Sequence, residues 1–531
     1  MPPHSIKRTF SVRVALIIGA APLAATLLSG CSKTAAESQV EKPRVNVVLF
    51  LIDTLRADHM SLYGHDRQTT PFLDQLGKNS VVFDRAQAPA PWTLPSVPSI
   101  HTSTFPCEHG VTRDKQAIRP EIPTMAERFK RMDYHTISLY VNNWAGPITN
   151  MNRGFDVCRK PDAKFFVDGP QVSRQLRTRP DKPFFFYIHN IEPHNPHNAL
   201  PQLISRFGSV SPQTRGTIGR LVRRNYNSQL KWDWDHGQAL GTSDKTAAID
   251  AVLAQLHPLL TQHKLLYDAV VLEADMRVAS VVKSLKADGL WKNTLFIVLA
   301  DHGDEFEDHG HYLHSQSVYQ ELTHVPLLVH FPGSEYAEKR VPRVVSLLDV
   351  LPTVFDYLGR PDLIGGARGR SLMPLIRGEE GDPPEPFIIT TVRINRKKFY
   401  PPWGATRGNI NVALMTPEGR WKAIWNADSD TVELYDLASD PHELNNVCAE
   451  QAERAGAMAA YARHYYDRCI EGSLDVPENE MSADDVENLR DLGYLAGGDV
   501  DDESAIVPTT SPAPVAAPRD NVPCPAPPRQ N

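Results

Sequence analysis

The chain reads as an α/β protein. Its core is a large mixed, mostly parallel sheet sandwiched by helices, and a small C-terminal α+β subdomain with an antiparallel sheet follows. Three observations predict this. Apolar runs such as NVVLFLID (46–53) and TLFIVLAD (294–301) are continuous rather than alternating, as in parallel strands buried on both faces. Such runs alternate with helical patterns over most of the chain, which argues for helices on both faces of one sheet. From about residue 380 the texture changes to shorter strands separated by turns.

The 531 residues suffice for one large domain and a smaller one. Lys+Arg total 56 against 63 acidic residues, a net charge of -7, so there is no global basic surface and no nucleic-acid partner is expected. Residues 1–30 read as a lipoprotein signal peptide. Lys7, Arg8 and Arg13 precede an apolar stretch over 14–28, too short for a membrane span, which ends in LSGC. That tetrad resembles the bacterial lipoprotein cleavage box, with Cys31 as the lipidated first residue. The expected location is outside the cytoplasm, lipid-anchored to the bacterial cell membrane or outer membrane. Residues 31–43 are a polar tether. Among the six cysteines, Cys107 and Cys158 could pair in an oxidising compartment. Cys448 and Cys469 flank one expected helix and would lie about 30 Å apart along it, too far for a bond.

The domain expected over 44–379 opens with the strand that ends in Asp53. A proline-started helix follows at TTPFLDQL, then a strand. APAPWTLPSVPSIHTSTFP (88–106) carries prolines at 89, 91, 95 and 98, so a helix is expected only from near Ser99. Thr93, Ser96 and Ser99 cluster at that junction, where free N–H groups would suit a sulfate or phosphate, although plain capping explains such residues as well. KPFFFYIHNIEPHNPH (182–197) is an aromatic strand ending in a loop with His189, His194 and His197. One of these is a candidate general acid or substrate ligand, while His189 and His197 are more simply structural. Residues 198–262 read as an insertion or lid. A long helix from Leu265 stops at Gly289. The C-terminal subdomain is expected over 380–498, with strands FIITTVR, INVALMTP, WKAIWNA and VELYDL and a helix over 448–470. Residues 499–531 form a Pro/Ala-rich tail expected to be disordered.

The chemistry concentrates at 294–314, TLFIVLADHGDEFEDHGHYLH. Asp301 and His302 stand where a strand meets a loop, at the carboxyl end where open α/β sheets bind ligands. An oxygen–nitrogen pair there suits a divalent metal. His309, His311 and His314 follow, while Asp304, Glu305, Glu307 and Asp308 are expected to be a solvated acidic loop. Asp53 closes another strand in the same way, with capping of the next turn as its plainer role.

Several ordered segments resemble the sulfatase family of the alkaline phosphatase superfamily. NVVLFLIDTLRADHMSLYG, TTPFLDQL, ADHGDEFEDHGHYLH, VPLLVHFPG, VSLLDVLPTVFDYLG, GRSLMPLIRG, ELYDLASDPHELNNV and LRDLGYLAG match its signatures between about 46 and 498. The resemblance implies an alkaline-phosphatase-like fold, with Asp53, Asp301 and His302 as metal ligands and His194 and His314 as substrate contacts. It also implies one divalent ion, calcium by likeness, although a histidine ligand admits manganese or zinc. One departure stands out. The family's nucleophile motif is Cys or Ser, any residue, Pro, Ser, Arg, and the matching residues here are Thr93, Leu94, Pro95, Ser96 and Val97. Cys or Ser is oxidised to formylglycine in that family. Threonine would give a ketone, so no formylglycine is expected and Thr93 itself becomes the candidate nucleophile.

The resulting expectation is an exported, lipid-anchored, metal-dependent hydrolase of sulfate or phosphate esters, acting on a small molecule or a glycan. Two other classes stay open: a catalytically silent, glycan-binding relative, and a phosphotransferase or phosphodiesterase working through phosphothreonine.

Overall fold

The computed structural model describes residues 44–161, 166–222, 254–379, 388–393, 410–472 and 476–492. Cys31, the tether and the tail lie outside these residues, as does the middle of the expected lid, 223–253. The main sheet has eight strands: β1 (Asn46–Ile52), β2 (Val81–Gln87), β3 (His135–Tyr140), β4 (Val157–Arg159), β5 (Phe184–Asn190), β6 (Thr294–Leu299), and, after a short loop hairpin, β9 (His324–His330) and β10 (Lys339–Ser346). Their order is β10-β2-β9-β6-β1-β5-β3-β4. β9 runs antiparallel to both its neighbours, and every other pairing is parallel. The sheet is thus mixed and mostly parallel.

β1 lies between β5 and β6 with all seven residues buried, which is why its sequence shows no polar alternation. Each large apolar side chain buried there contributes about 1.5–3 kcal/mol. Pro71–Gly77 begins with proline in its first turn, as the sequence suggests. The long helix spans Leu260–Ala287, and Gly289 follows with a left-handed φ of 74°.

A second sheet carries β11 (Ile388–Arg393), β12 (Ile410–Met415), β13 (Trp421–Asn426) and β14 (Thr431–Asp436), all antiparallel. The helix Ala452–Gly472 packs on it. Its Ala455, Met458, Ala459, Ala462 and Tyr465 share a core with Trp421, Trp425, Val432 and Leu434, and with Phe105 of the main domain.

Three expectations need correction. The helix after the proline-rich turn spans Thr93–Thr102, six residues earlier than Ser99. Pro95 falls in its first turn, where N–H groups have no intrahelical partner. Pro98 removes one internal bond, which a helix buried at every residue can lose. Cys107 does not pair with Cys158; it is bonded to Cys469, 362 residues away, and Cys158 is a free thiol. The acidic loop is not solvated, because Asp304 and Glu305 are buried and Asp308 is largely covered. It folds into a small hairpin, β7 (Glu305–Phe306) against β8 (Tyr312–Leu313).

Candidate active site

β1 and β6 are adjacent and parallel, so the acids that follow them, Asp53 and Asp301, emerge side by side at the carboxyl edge of the sheet. Ligand atoms of Asp53, Asp301 and His302 all lie within 4.8 Å of one another, and the three residues are fully buried. The backbone is bent to allow this. Thr54 has a φ of 59°, unusual for a β-branched residue, and its N–H points to Asp301 Oδ1 at 3.4 Å. Gly303 lets the next turn pass against the Glu321 carbonyl.

Thr93 opens its helix directly over this cluster. Its Oγ1 lies 3.3 Å from Asp53 Oδ2 and 3.2 Å from His302 Nε2. Ser96 Oγ donates to the Asp301 carbonyl at 2.8 Å, which ties the helix to the loop carrying Asp301 and His302. Two histidines complete the wall. The His314 ring is 4.6 Å from the His302 ring and 5.2 Å from that of His194. Thr93, His194 and His314, predicted from opposite parts of the chain, are therefore brought together with Asp53, Asp301 and His302.

The electrostatics fit a cation. Burial works to raise the Asp53 carboxyl, but the His302 hydrogen bond and nearby imidazoles outweigh it and hold the group well below the usual range. Burial, then the Asp53 charge, pushes Asp301 up to about 7. Burial works against the His302 charge, yet the two carboxylates raise it to about 9. Asp301 Oδ2 has no hydrogen-bond partner. Two buried carboxylates and an imidazole, whose charges are set by burial and by one another, form a donor set suited to a divalent ion.

Residues 45–360 match the Sulfatase family, and residues 307–460 match the C-terminal region of N-sulphoglucosamine sulphohydrolase. The chain belongs to the sulfatase family. That family comprises hydrolases acting on ester bonds. This member is 23% identical to arylsulfatase K of Xenopus laevis over 457 residues, covering 80% of this chain and 83% of that protein. To arylsulfatase K of Bos taurus it is 32% identical over 201 residues, 36% of this chain but only 34% of the bovine protein. It is 23% identical to a delta 4,5-hexuronate-2-O-sulfatase of Bacteroides thetaiotaomicron, covering 78% and 86%. Two solved structures share the fold. One is a phosphonate monoester hydrolase of Agrobacterium radiobacter (TM-score 0.57, 20% identity, 81% of this chain and 96% of that one). The other is a protein in complex with its substrate D-glucosamine-2-N,6-O-disulfate (TM-score 0.59, 18% identity, 82% and 100%).

The sulfatase pocket also holds residues that sequence reasoning passed over. Asn142, just after β3, donates through Nδ2 to Asp53 Oδ2 at 3.1 Å and to Thr93 Oγ1 at 3.3 Å. Its only signal was its place at the carboxyl end of a strand. His189, read as structural, lies with Nε2 3.6 Å from Asp53 Oδ2. His197, also read as structural, lies 3.7 Å from Asp304. Burial lowers the imidazoles of His189 (to about 4), His194 and His197, so all three favour the neutral form.

Proposed function

We propose that this sulfatase-family hydrolase is an exported, lipid-anchored, metal-dependent enzyme that cleaves sulfate or phosphate esters on a sugar or glycan, with Thr93 as nucleophile. The observation that carries it is the convergence of Asp53, His302 and Asn142 on one hydroxyl, Thr93 Oγ1, at the ligand-binding edge of the sheet. Asp53, Asp301 and His302 would hold the ion. Bound there, a divalent cation would supply Lewis-acid stabilisation of the negative charge that gathers on the attacking and ester oxygens. Calcium is favoured by family likeness, and the His302 nitrogen admits manganese or zinc.

Thr93 Oγ1 attacks the sulfur or phosphorus, and the bond from that atom to the leaving oxygen breaks. The proton that Thr93 Oγ1 loses passes to Nε2 of His314 or His194, whose Nδ1 is engaged by Asp304 or by the Asn195 carbonyl, and that imidazole then gives it to the leaving alcohol. The resulting ester of Thr93 must then be cleaved by water at the same central atom. That second attack is better precedented chemically at phosphorus than at sulfur, so the threonine favours a phosphoryl substrate. A sugar carrier is supported by relatives named for hexuronate and N-acetylglucosamine sulfates. Export is supported by the Cys107–Cys469 disulfide and by the LSGC segment ending at Cys31. Among the described residues no helix is long and apolar enough to cross a membrane.

The test is turnover of an aryl sulfate, an aryl phosphate monoester and an aryl phosphodiester, with calcium, manganese and zinc in turn, beside Thr93→Ala and Asp301→Ala. Turnover lost in Thr93→Ala supports the nucleophile. Asp301→Ala should lose bound metal and activity together, with a fall in kcat of at least about 100-fold. An active, metal-free Asp301→Ala protein would falsify the assignment.

A further inference from the structure

Asp304 is the acid the pocket does not use as a ligand, yet it is nearly as deeply buried as the ligands, at 1% exposure. Its Oδ1 lies 3.1 Å from His314 Nδ1. Its Oδ2 lies 3.7 Å from His197 Nε2. Its main-chain oxygen accepts from Arg56 Nη1 at 2.9 Å, and the same guanidinium grips Asp308. Behind it, His197 Nδ1 stands 3.0 Å from His263 Nε2 on the long helix. Arg56 thus holds the Asp304 main chain, while the carboxylate spends one oxygen on the His314 ring and turns the other toward His197.

The main chain at His314 is equally constrained. Leu313 and Ser315, the residues on either side, have φ values of 72° and 74°. Two neighbouring left-handed residues without glycine are a cost the fold bears to aim one side chain.

We propose that Asp304 is a positioning residue for ester cleavage. Its carboxylate holds the His314 ring in the tautomer with the proton on Nδ1, so that Nε2 is the nitrogen that takes the Thr93 proton and hands it to the leaving alcohol. Arg56 keeps the Asp304 main chain in place, and His197 packs beside the carboxylate. A buried acid that orients an imidazole in this way sets which nitrogen meets the reacting atoms. The proposal rests on ester hydrolysis at Thr93, but the tautomer can be read without any substrate.

The experiment uses the full chain with 15N-labelled histidine. His314 is assigned by difference from His314→Gln, and its tautomer is read by long-range nitrogen–proton correlation in the wild type, Asp304→Asn and Asp304→Glu. The expected result is Nδ1–H in the wild type, loss of that preference in Asp304→Asn, and its return in Asp304→Glu. An Nε2–H tautomer in the wild type, or one indifferent to Asp304→Asn, overturns the proposal. In parallel, esters with alkyl and nitrophenyl leaving groups are compared. Asp304→Asn should lower kcat for the alkyl ester by about 100-fold or more, leave KM within a few-fold, and affect the nitrophenyl ester far less. A uniform loss across leaving groups also overturns the proposal, because it would mark a folding role. Wild type inactive on every ester sinks hydrolysis itself, while the tautomer still decides whether Asp304 sets the ring.

Discussion

At Gly303 a methyl group would sit 1.9 Å from the Glu321 carbonyl oxygen and 3.0 Å from Arg56 Cγ. The first contact is with backbone, so no rotamer change relieves it. Gly303→Ala should therefore cost several kcal/mol, of order 3 or more, through displacement of the loop beside His302. Urea unfolding would show it, and a midpoint unchanged from wild type would remove the packing argument. The same loop shows how charges mislead when counted along a sequence. Asp304, Glu305 and Asp308 look solvated in DGDEFED-like company. Asp308 and the Asp304 main chain are held by Arg56, far earlier in the chain, whose guanidinium pairs with Asp58 and Asp308 at 2.8 Å each, and Glu305 accepts from Ser317 Oγ at 2.8 Å. No local pattern announces such a partner. Asp53 and Asp301 were legible because each closes an unbroken apolar run, a signal that belongs to the residue's own neighbourhood. Asn142 was not, since an asparagine after a strand more often caps a turn, and this one does that as well through the Trp144 N–H.

The helix Thr93–Thr102 is joined at its far end to the C-terminal subdomain. Phe105 lies in the second core, and Cys107 is bonded to Cys469 at the end of Ala452–Gly472. A crosslink over 362 residues restrains the unfolded chain strongly, so replacing both cysteines by serine should lower stability by about 2–5 kcal/mol. Thermal unfolding of the Cys107→Ser, Cys469→Ser double variant measures this, and an unchanged midpoint would mean that the shared core alone holds the two parts. The types of the main strands and long helices were legible, because hydrophobic period is local, while the short helix Pro201–Ile204 and the β7–β8 hairpin were not. The start of the helix Thr93–Thr102 was misplaced because prolines were weighed by propensity, whereas complete burial decides the shape. The cysteine pairing was beyond reach for a topological reason: nothing local links positions on opposite sides of two domains.

Across the whole molecule, the hairpin loop and the antiparallel sheet meet at a buried charged cluster. His309 stacks on Tyr319 with ring centroids 3.7 Å apart. Its Nδ1 lies 2.6 Å from Glu321, and its Nε2 lies 3.1 Å from the Glu443 carbonyl. Lys422 Nζ, 1% exposed, reaches Glu443 at 2.7 Å, and Tyr319 and Tyr435 both donate to Glu433. Burial works to lower the His309 imidazole, but its bond to Glu321 outweighs this and raises it from 6.5 to about 9. A raised histidine stabilises fully below its unfolded value and loses that contribution as pH climbs through the folded one. The stability gap between wild type and His309→Gln should thus be greatest below pH 6.5, roughly 3 kcal/mol at most, and shrink to nothing above about pH 9. Melting temperatures across that range decide it; a gap that widens with pH would show that the neighbouring acids dominate instead.

The short helix Ala483–Asp491 grips the pocket from the far end of the chain. Asn488 Oδ1 accepts from the Asn143 N–H at 3.1 Å, and Asp485 Oδ1 accepts from Asn143 Nδ2 at 2.7 Å, one residue from the amide that touches Thr93. The ligand Asp53 and this clamp lie more than 430 positions apart, so the pocket is completed only by what the ribosome makes late. A chain cut short before Asp485 would carry Asp53, Thr93, Asn142, Asp301 and His302 and lack the piece that braces them.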